Sequence, residues 1–161
     1  MLKIISGGQT GVDRGALNAA LEAGVDCGGW CPAARQAEDG AIPARYPVRE
    51  LPHGSYPDRT AANVGEADAT LIIYFGALRG GTATTARLCD EMGKPQLLLD
   101  AAAMPPHDGA ASACAFVQEH NVRVLNVAGA RGSEAAGAHD YARAIVRELL
   151  GRLGGQTSGA V

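Results

Sequence analysis

The chain opens with Leu2-Lys3-Ile4-Ile5-Ser6-Gly7-Gly8-Gln9-Thr10-Gly11-Val12-Asp13-Arg14-Gly15-Ala16-Leu17, and the reading of that stretch decides the fold. Leu2 to Ser6 is a short apolar run of strand length. Three glycines follow within five residues. From Val12 the positions Val12, Ala16, Ala19, Ala20 and Ala23 recur at helical spacing. Gly24 then stands where a helix C-cap glycine belongs. The stretch is therefore a strand, a glycine turn and a helix, the first step of an alternating α/β chain.

The same alternation continues. Asp26–Trp30 has the length of a short second strand. Residues 32–57 carry five prolines and no clear period, apart from a possible strand at Val48–Leu51. Ser55-Tyr56-Pro57-Asp58 has the form of a capped helix start, predicting a helix to about Glu66. Ala69–Phe75 (ATLIIYF) is apolar on both faces, as a buried parallel strand requires. A loop at Gly76–Gly81 leads to a helix over Thr82–Met92, ended by Gly93 and Pro95. Gln96–Leu99 reads as a strand, an Asp108-capped helix reaches about His120, and Val122–Val127 reads as a strand. A loop at Gly129–Gly132 leads to a last helix over Ala136–Leu150, with Tyr141, Ile145 and Leu149 on one face. These elements predict a three-layer, Rossmann-like α/β domain with a mainly parallel sheet. It spans residues 1–153, with 154–161 as a flexible tail.

Composition narrows the function. The chain has 161 residues, a formal net charge of −3, 22 glycines and few aromatics. That charge argues against a nucleic-acid protein held by a basic face. No apolar run approaches the roughly 18 residues of a membrane span. The first residues lack the charged region and cleavage site of a signal peptide, so reduced thiols in a cytoplasm are expected. Cys27 and Cys31 form a lone pair without the further ligands a zinc site needs. The scattered His53, His107, His120 and His139 support no Ser/His/Asp triad.

Chemistry concentrates in the loops. In a parallel sheet, ligands bind outside the carboxyl ends of the strands. Gly7, Gly8 and Gly11, then Gly76, Gly80 and Gly81, then Gly129 and Gly132 all fall on that edge. A glycine turn that feeds a helix N-terminus offers backbone N–H groups and partial positive charge to an anion. Gly8, Gln9, Thr10 and Gly11 form one candidate loop, and Gly80, Gly81, Thr82 and Thr85 a second. The hydroxyls of Thr10, Thr82, Thr84 and Thr85 could donate to a phosphate oxygen. Neither loop is a G-x-G-x-x-G dinucleotide motif in register or a G-K-[ST] P-loop. Asp13, in the first helical turn, either complements the helix dipole or faces the ligand, and it is the candidate general base. Arg14 could pair with Asp13, lie solvated or reach a phosphate. The 32–57 stretch is either a lid or a solvated loop. With Arg59 just beyond it, it supplies arginines suited to phosphate recognition. Asp68 precedes its strand and belongs to the opposite, structural edge.

GGQTGVDRGAL, GGWCP, DGAIP, Tyr46-Pro47…Glu50, Tyr56-Pro57-Asp58-Arg59-Thr60…Asn63-Val64, ADATLI and GGT followed by a second Thr together resemble the putative molybdenum carrier family. That family is a circularly permuted branch of the SLOG superfamily of nucleotide-ligand-binding proteins. The resemblance covers residues 3–150. It implies a Rossmann-like sheet, assembly as homo-dimers or tetramers, and a pocket formed by the Gly8–Asp13 and Gly80–Thr85 loops. It also implies a small phosphate-bearing ligand, either a nucleotide or the molybdenum cofactor, a pterin with one phosphate. A related branch hydrolyses the N-glycosidic bond of nucleoside monophosphates with a P-G-G-x-G-T-x-x-E motif. Here Ala83 replaces its middle glycine and Arg87 its glutamate, so that hydrolase is the alternative reading, dependent on Asp13.

Overall fold

A computed structural model describes residues 1–157, with side chains through residue 155. The first strand, β1 (Lys3–Ile5), leads into α1 (Val12–Ala23), which ends on Gly24 in the left-handed conformation. The expected second strand is broken. β2 (Cys27–Gly28) and β3 (Trp30–Cys31) flank Gly29, whose φ is 126°. A Cβ at Gly29 would collide with the Ser6 carbonyl, so the chain turns away from the sheet there. After a 3₁₀ turn at Ala33–Arg35 come β4 (Gln36–Ala37), β5 (Gly40–Ala41) and β6 (Arg49–Glu50). Next are α2 (Tyr56–Glu66), β7 (Ala69–Tyr74), α3 (Gly80–Met92) and β8 (Gln96–Asp100). The chain closes with α4 (Pro106–Glu119), β9 (Val124–Gly129) and α5 (Ala138–Thr157).

The main sheet has the order β2-β1-β9-β7-β8 and every pairing in it is parallel. Leu71 and Ile73 of β7 join the large core under α1, α4 and α5, while Ile72 joins Val64, Ala86 and Cys89 under α2 and α3. That alternation explains why the strand is apolar throughout: both faces are covered. Each such Leu or Ile contributes about 1.5–3 kcal/mol when buried. α1 and α5 approach closely because Gly15 has no side chain; a Cβ there would meet the His139 carbonyl.

Several boundaries move from their expected places. α3 starts at Gly80, so Gly80 and Gly81 are its first turn rather than loop. α4 is capped by Pro105, and Asp108 lies inside its first turn. β9 starts at Val124, because the Val122 and Arg123 amides turn aside to the Val117 carbonyl and the Asp68 carboxylate. α5 starts at Ala138 and continues through Gly154 to Thr157; residues 158–161 lie outside the described residues.

The proline-rich stretch is more ordered than its composition implied. β3 pairs in parallel with β6, β4 and β5 form a two-residue hairpin, and Ile42, Tyr46 and Val48 pack with Leu17 in a separate small core. Its centre is Arg35. The Arg35 guanidinium donates to the carbonyls of Ile42 (3.0 Å), Val48 (2.8 Å), Pro43 (2.9 Å) and Tyr46 (2.9 Å). Among the described residues, no helix is long and apolar enough to cross a membrane, and the four cysteines are free thiols.

Candidate functional site

An open cleft of about 120 Å³ lies at the carboxyl edge of the sheet. The loop after β1 supplies Gly7, Gln9 and Asp13 to it, and the first turns of α3 supply Gly81, Thr82 and Thr85. β9 adds Asn126 and Gly129, and α2 adds Tyr56 and Arg59. Two loops that are far apart in sequence thus share one cavity. The reason is topological: β1, β9 and β7 are neighbours and parallel, so their outgoing loops converge.

Two features of the cleft are donors without partners. α3 has Arg79 as its N-cap with no side-chain cap, so its first-turn amides point their partial positive charge at the cleft. Gln9 is 5% exposed and its Nε2 has no hydrogen-bond partner, and the buried Arg59 Nε has none either. A buried donor left unsatisfied costs about 1–3 kcal/mol. The charged residues of the lining are Arg59 and Arg131 against Asp13 and Glu134, with Arg131 3.5 Å from Glu134. Formal charge therefore balances, and the unpartnered N–H groups are what distinguishes the lining.

Asp13 sits at the floor, 4% exposed. Its Oδ2 accepts from the Gln9 amide (3.2 Å) and pairs with Arg59 Nη1 (3.1 Å). Burial pushes its carboxyl above the usual range, while Arg59 and the Gln9 N–H pull the other way. Gly7 makes this pair possible, because a Cβ there would occupy the place of the Arg59 guanidinium. Tyr56 lies at the mouth, 5.8 Å from Arg59 and 5.6 Å from Arg131 in cation–π contact.

The structure sorts the residues singled out in the sequence. Gln9, Asp13, Arg59, Gly81, Thr82 and Thr85 line the cleft; Gly8, Thr10, Gly11, Arg14 and Gly80 do not. Arg14 neither meets Asp13 nor reaches the cleft. It donates to the Gly8 carbonyl (3.0 Å) and grips Asp39 through two hydrogen bonds (2.6 and 2.8 Å). Thr10 donates its hydroxyl to Glu38 and its amide to Gln9 Oε1 (3.1 Å). Gly11 is packed against Ala130–Gly132. The first glycine loop is thus a packing seam, and its amides at Gln9 and Thr10 are taken by the protein's own side chains. Thr84 and Thr85 donate to the Gly80 and Gly81 carbonyls of their own helix (3.3 and 3.0 Å), which leaves Thr82 of that set to face a ligand. Asp68 accepts the Arg123 and Val124 amides at the opposite edge (2.9 Å each), which holds its carboxyl below the usual range.

Asn126, Arg131 and Tyr56 were not singled out from the sequence. Asn126, 2% exposed, is the one polar side chain within the run Val124-Leu125-Asn126-Val127, and that interruption was a readable signal. Arg131 falls within the third glycine loop. Tyr56 stood at a helix start and within one of the family segments, but with no role in the site attached to it. Among the described residues, no cluster of three or more His, Cys, Asp or Glu side chains is placed to hold a metal ion.

The Circularly permutated YpsA SLOG family matches residues 4–150. The structure is similar to that of a putative molybdenum carrier protein from Syntrophus aciditrophicus SB, with a TM-score of 0.90 and 37% identity. The match covers 93% of this chain and 95% of that one. No curated protein matches the chain.

Proposed function

The chain belongs to the Circularly permutated YpsA SLOG family, and from that premise we propose that it binds a small phosphate-bearing ligand as a carrier. One observation carries the reading: two buried donors, Gln9 Nε2 and Arg59 Nε, lack partners within a cleft that also receives the uncapped start of α3. An oxyanion supplies what all three lack. The similarity to a molybdenum carrier protein favours a ligand of the molybdenum-cofactor type as cargo. Its phosphate would meet Gln9, Arg59 and the α3 amides, and Tyr56 at the mouth offers a face for a planar ring. The metal would travel on its own ligand, held by the protein through hydrogen bonds.

Hydrolysis of a nucleotide is the less favoured reading. Arg87, at the position of the hydrolase glutamate, is exposed and paired with Glu91 at 3.6 Å, and Asp13 is already engaged by Arg59. Calorimetry with molybdopterin and with a nucleoside monophosphate tests the proposal. Heat of binding that disappears in Arg59→Ala is expected; no binding of any phosphate compound would remove it. The family resemblance also leads us to place the carrier in a homo-oligomer. Light scattering should then give a multiple of the 16.4 kDa chain mass.

A further inference from the structure

We infer that the turn at Glu38 makes Gln9 an obligate hydrogen-bond donor to the cleft, so that the anionic head it accepts is a proton-free oxyanion, a phosphate-monoester dianion. This rests on the reading of the cleft as a phosphate site and adds the polarity of the group bound there.

A glutamine amide has nearly the same shape when flipped, so an unconstrained Gln serves donors and acceptors alike. Gln9 is constrained. Its Oε1 accepts from two backbone amides, Thr10 N–H at 3.1 Å and Glu38 N–H at 2.9 Å. Flipping would set its NH₂ against both and leave three donors facing one another. The NH₂ is therefore the end left without a partner, in a residue that lines the cleft. Beside it, the nearest charged groups leave a further donor and engage part of the acceptors. Arg59 Nε is a second donor, Asp13 Oδ2 is taken by Gln9 N–H and Arg59, and Glu134 lies against Arg131. A hydrogen on the oxygen that meets Gln9 would face a donor, and that contact would be lost.

Glu38 is a positioning residue in this arrangement, acting on the ligand only through Gln9. Its backbone supplies the N–H, and its side chain fixes where that N–H lies. The carboxylate accepts from the Thr10 hydroxyl, from Ser133 N (3.1 Å) and from Ser133 Oγ (2.6 Å). Asp39, the next residue, is clamped by Arg14. Two consecutive carboxylates thus strap the β4–β5 turn against the β1–α1 and β9–α5 loops.

The test compares ribose 5-phosphate with inorganic sulfate at pH 8 and pH 5. A phosphate monoester has a second pKa near 6 and gains a P–OH across that range, whereas sulfate does not. Taking the ratio of the two affinities cancels effects that both anions share, including titration of Asp13. In the wild type the ratio of ribose 5-phosphate to sulfate binding should fall about tenfold or more at pH 5, the scale of a hydrogen bond to a charged group. In Glu38→Ala, Gln9 is free to turn its oxygen to the P–OH, and the fall should be several-fold smaller. Glu38→Gln, which can still accept from Ser133 and Thr10, should restore the wild-type ratio. Gln9→Glu, a fixed acceptor, should weaken ribose 5-phosphate at pH 8 by about tenfold or more, and by more than Gln9→Met does. A wild-type ratio that does not change with pH, or a Glu38→Ala ratio equal to the wild type in a variant of unchanged Tm, overturns the inference and leaves the phosphate site standing. Failure of the wild type to bind either anion overturns both.

Discussion

Arg59 pairs with a buried carboxylate and leaves its own Nε without a partner, and both follow from a side chain threaded past Gly7. Removing it exposes the balance at Asp13. Burial already raises that carboxyl, and Arg59 is the main force against the rise. Because the folded value lies above the unfolded one, near 4, Asp13 costs no stability below pH 4. It costs more as pH climbs through its folded value. In Arg59→Ala the folded value rises further. The variant should lose about 3–5 kcal/mol near neutral pH, as when one partner of a buried pair is removed, and much less near pH 5. Thermal scans from pH 5 to 8 check this; a Tm deficit that stays constant over the range would mean that another group is responsible. Sulfate binding by the wild type should carry the same signature. An anion beside Arg59 competes with Asp13 for it, so binding should take up protons and tighten as pH falls. Calorimetry in buffers of different ionisation enthalpy reads this directly.

Helix and strand were legible wherever local chemistry alone decides them. The Gly24 cap, the Ser55–Asp58 capping box and the doubly buried Ala69–Tyr74 strand follow from residue type and spacing, and all three stand in the structure. The break at Gly29 and the role of the first glycine loop were not legible, because each depends on a backbone distant in sequence. Gly29 faces Ser6, and Gly11 faces Ala130. The site was legible by the same rule. Spacing found the two loops, but only tertiary packing shows that Thr10 and Arg14 serve the hairpin while Asn126 serves the cleft. Glycine substitutions separate these cases. A Cβ at Gly15 meets the His139 carbonyl, whereas a Cβ at Gly81 meets nothing. In a helix interior Gly→Ala normally gains about 0.5–1 kcal/mol. Gly15→Ala should instead lose about 1–3 kcal/mol through overpacking. Gly81→Ala should keep or raise stability, and Gly81→Val should do so while obstructing phosphate binding. Urea unfolding of the three variants tests the contrast.

The cleft joins helices from the two faces of the sheet, which also meet directly at the Asp13–Arg59 pair. α2 and α3 lie on one face, α1 and α5 on the other, and a guest at the strand ends would touch the start of α3 and the loop into α1 together. Binding should therefore raise the stability of the entire domain. At a ligand concentration one hundred times Kd the gain is about 2.7 kcal/mol, which for a chain of this size moves Tm by about 5–11 °C. A scan with and without the phosphate ligand should show one shifted transition; an unshifted second transition would mean that the proline-rich segment melts independently.

That segment has an unusual source of cohesion. With only two-residue strands of its own, and beside the straps at Glu38 and Asp39, it is drawn together inside by one planar cation that holds four peptide oxygens, like a rivet. Structures held by many weak links fray gradually, but this one should give way all at once. Arg35→Met should release every one of those oxygens together and let Tyr46 out of the small core beneath. The bond between exposed Arg45 and Tyr46, which is buried in the intact protein, should then become the first to yield to trypsin.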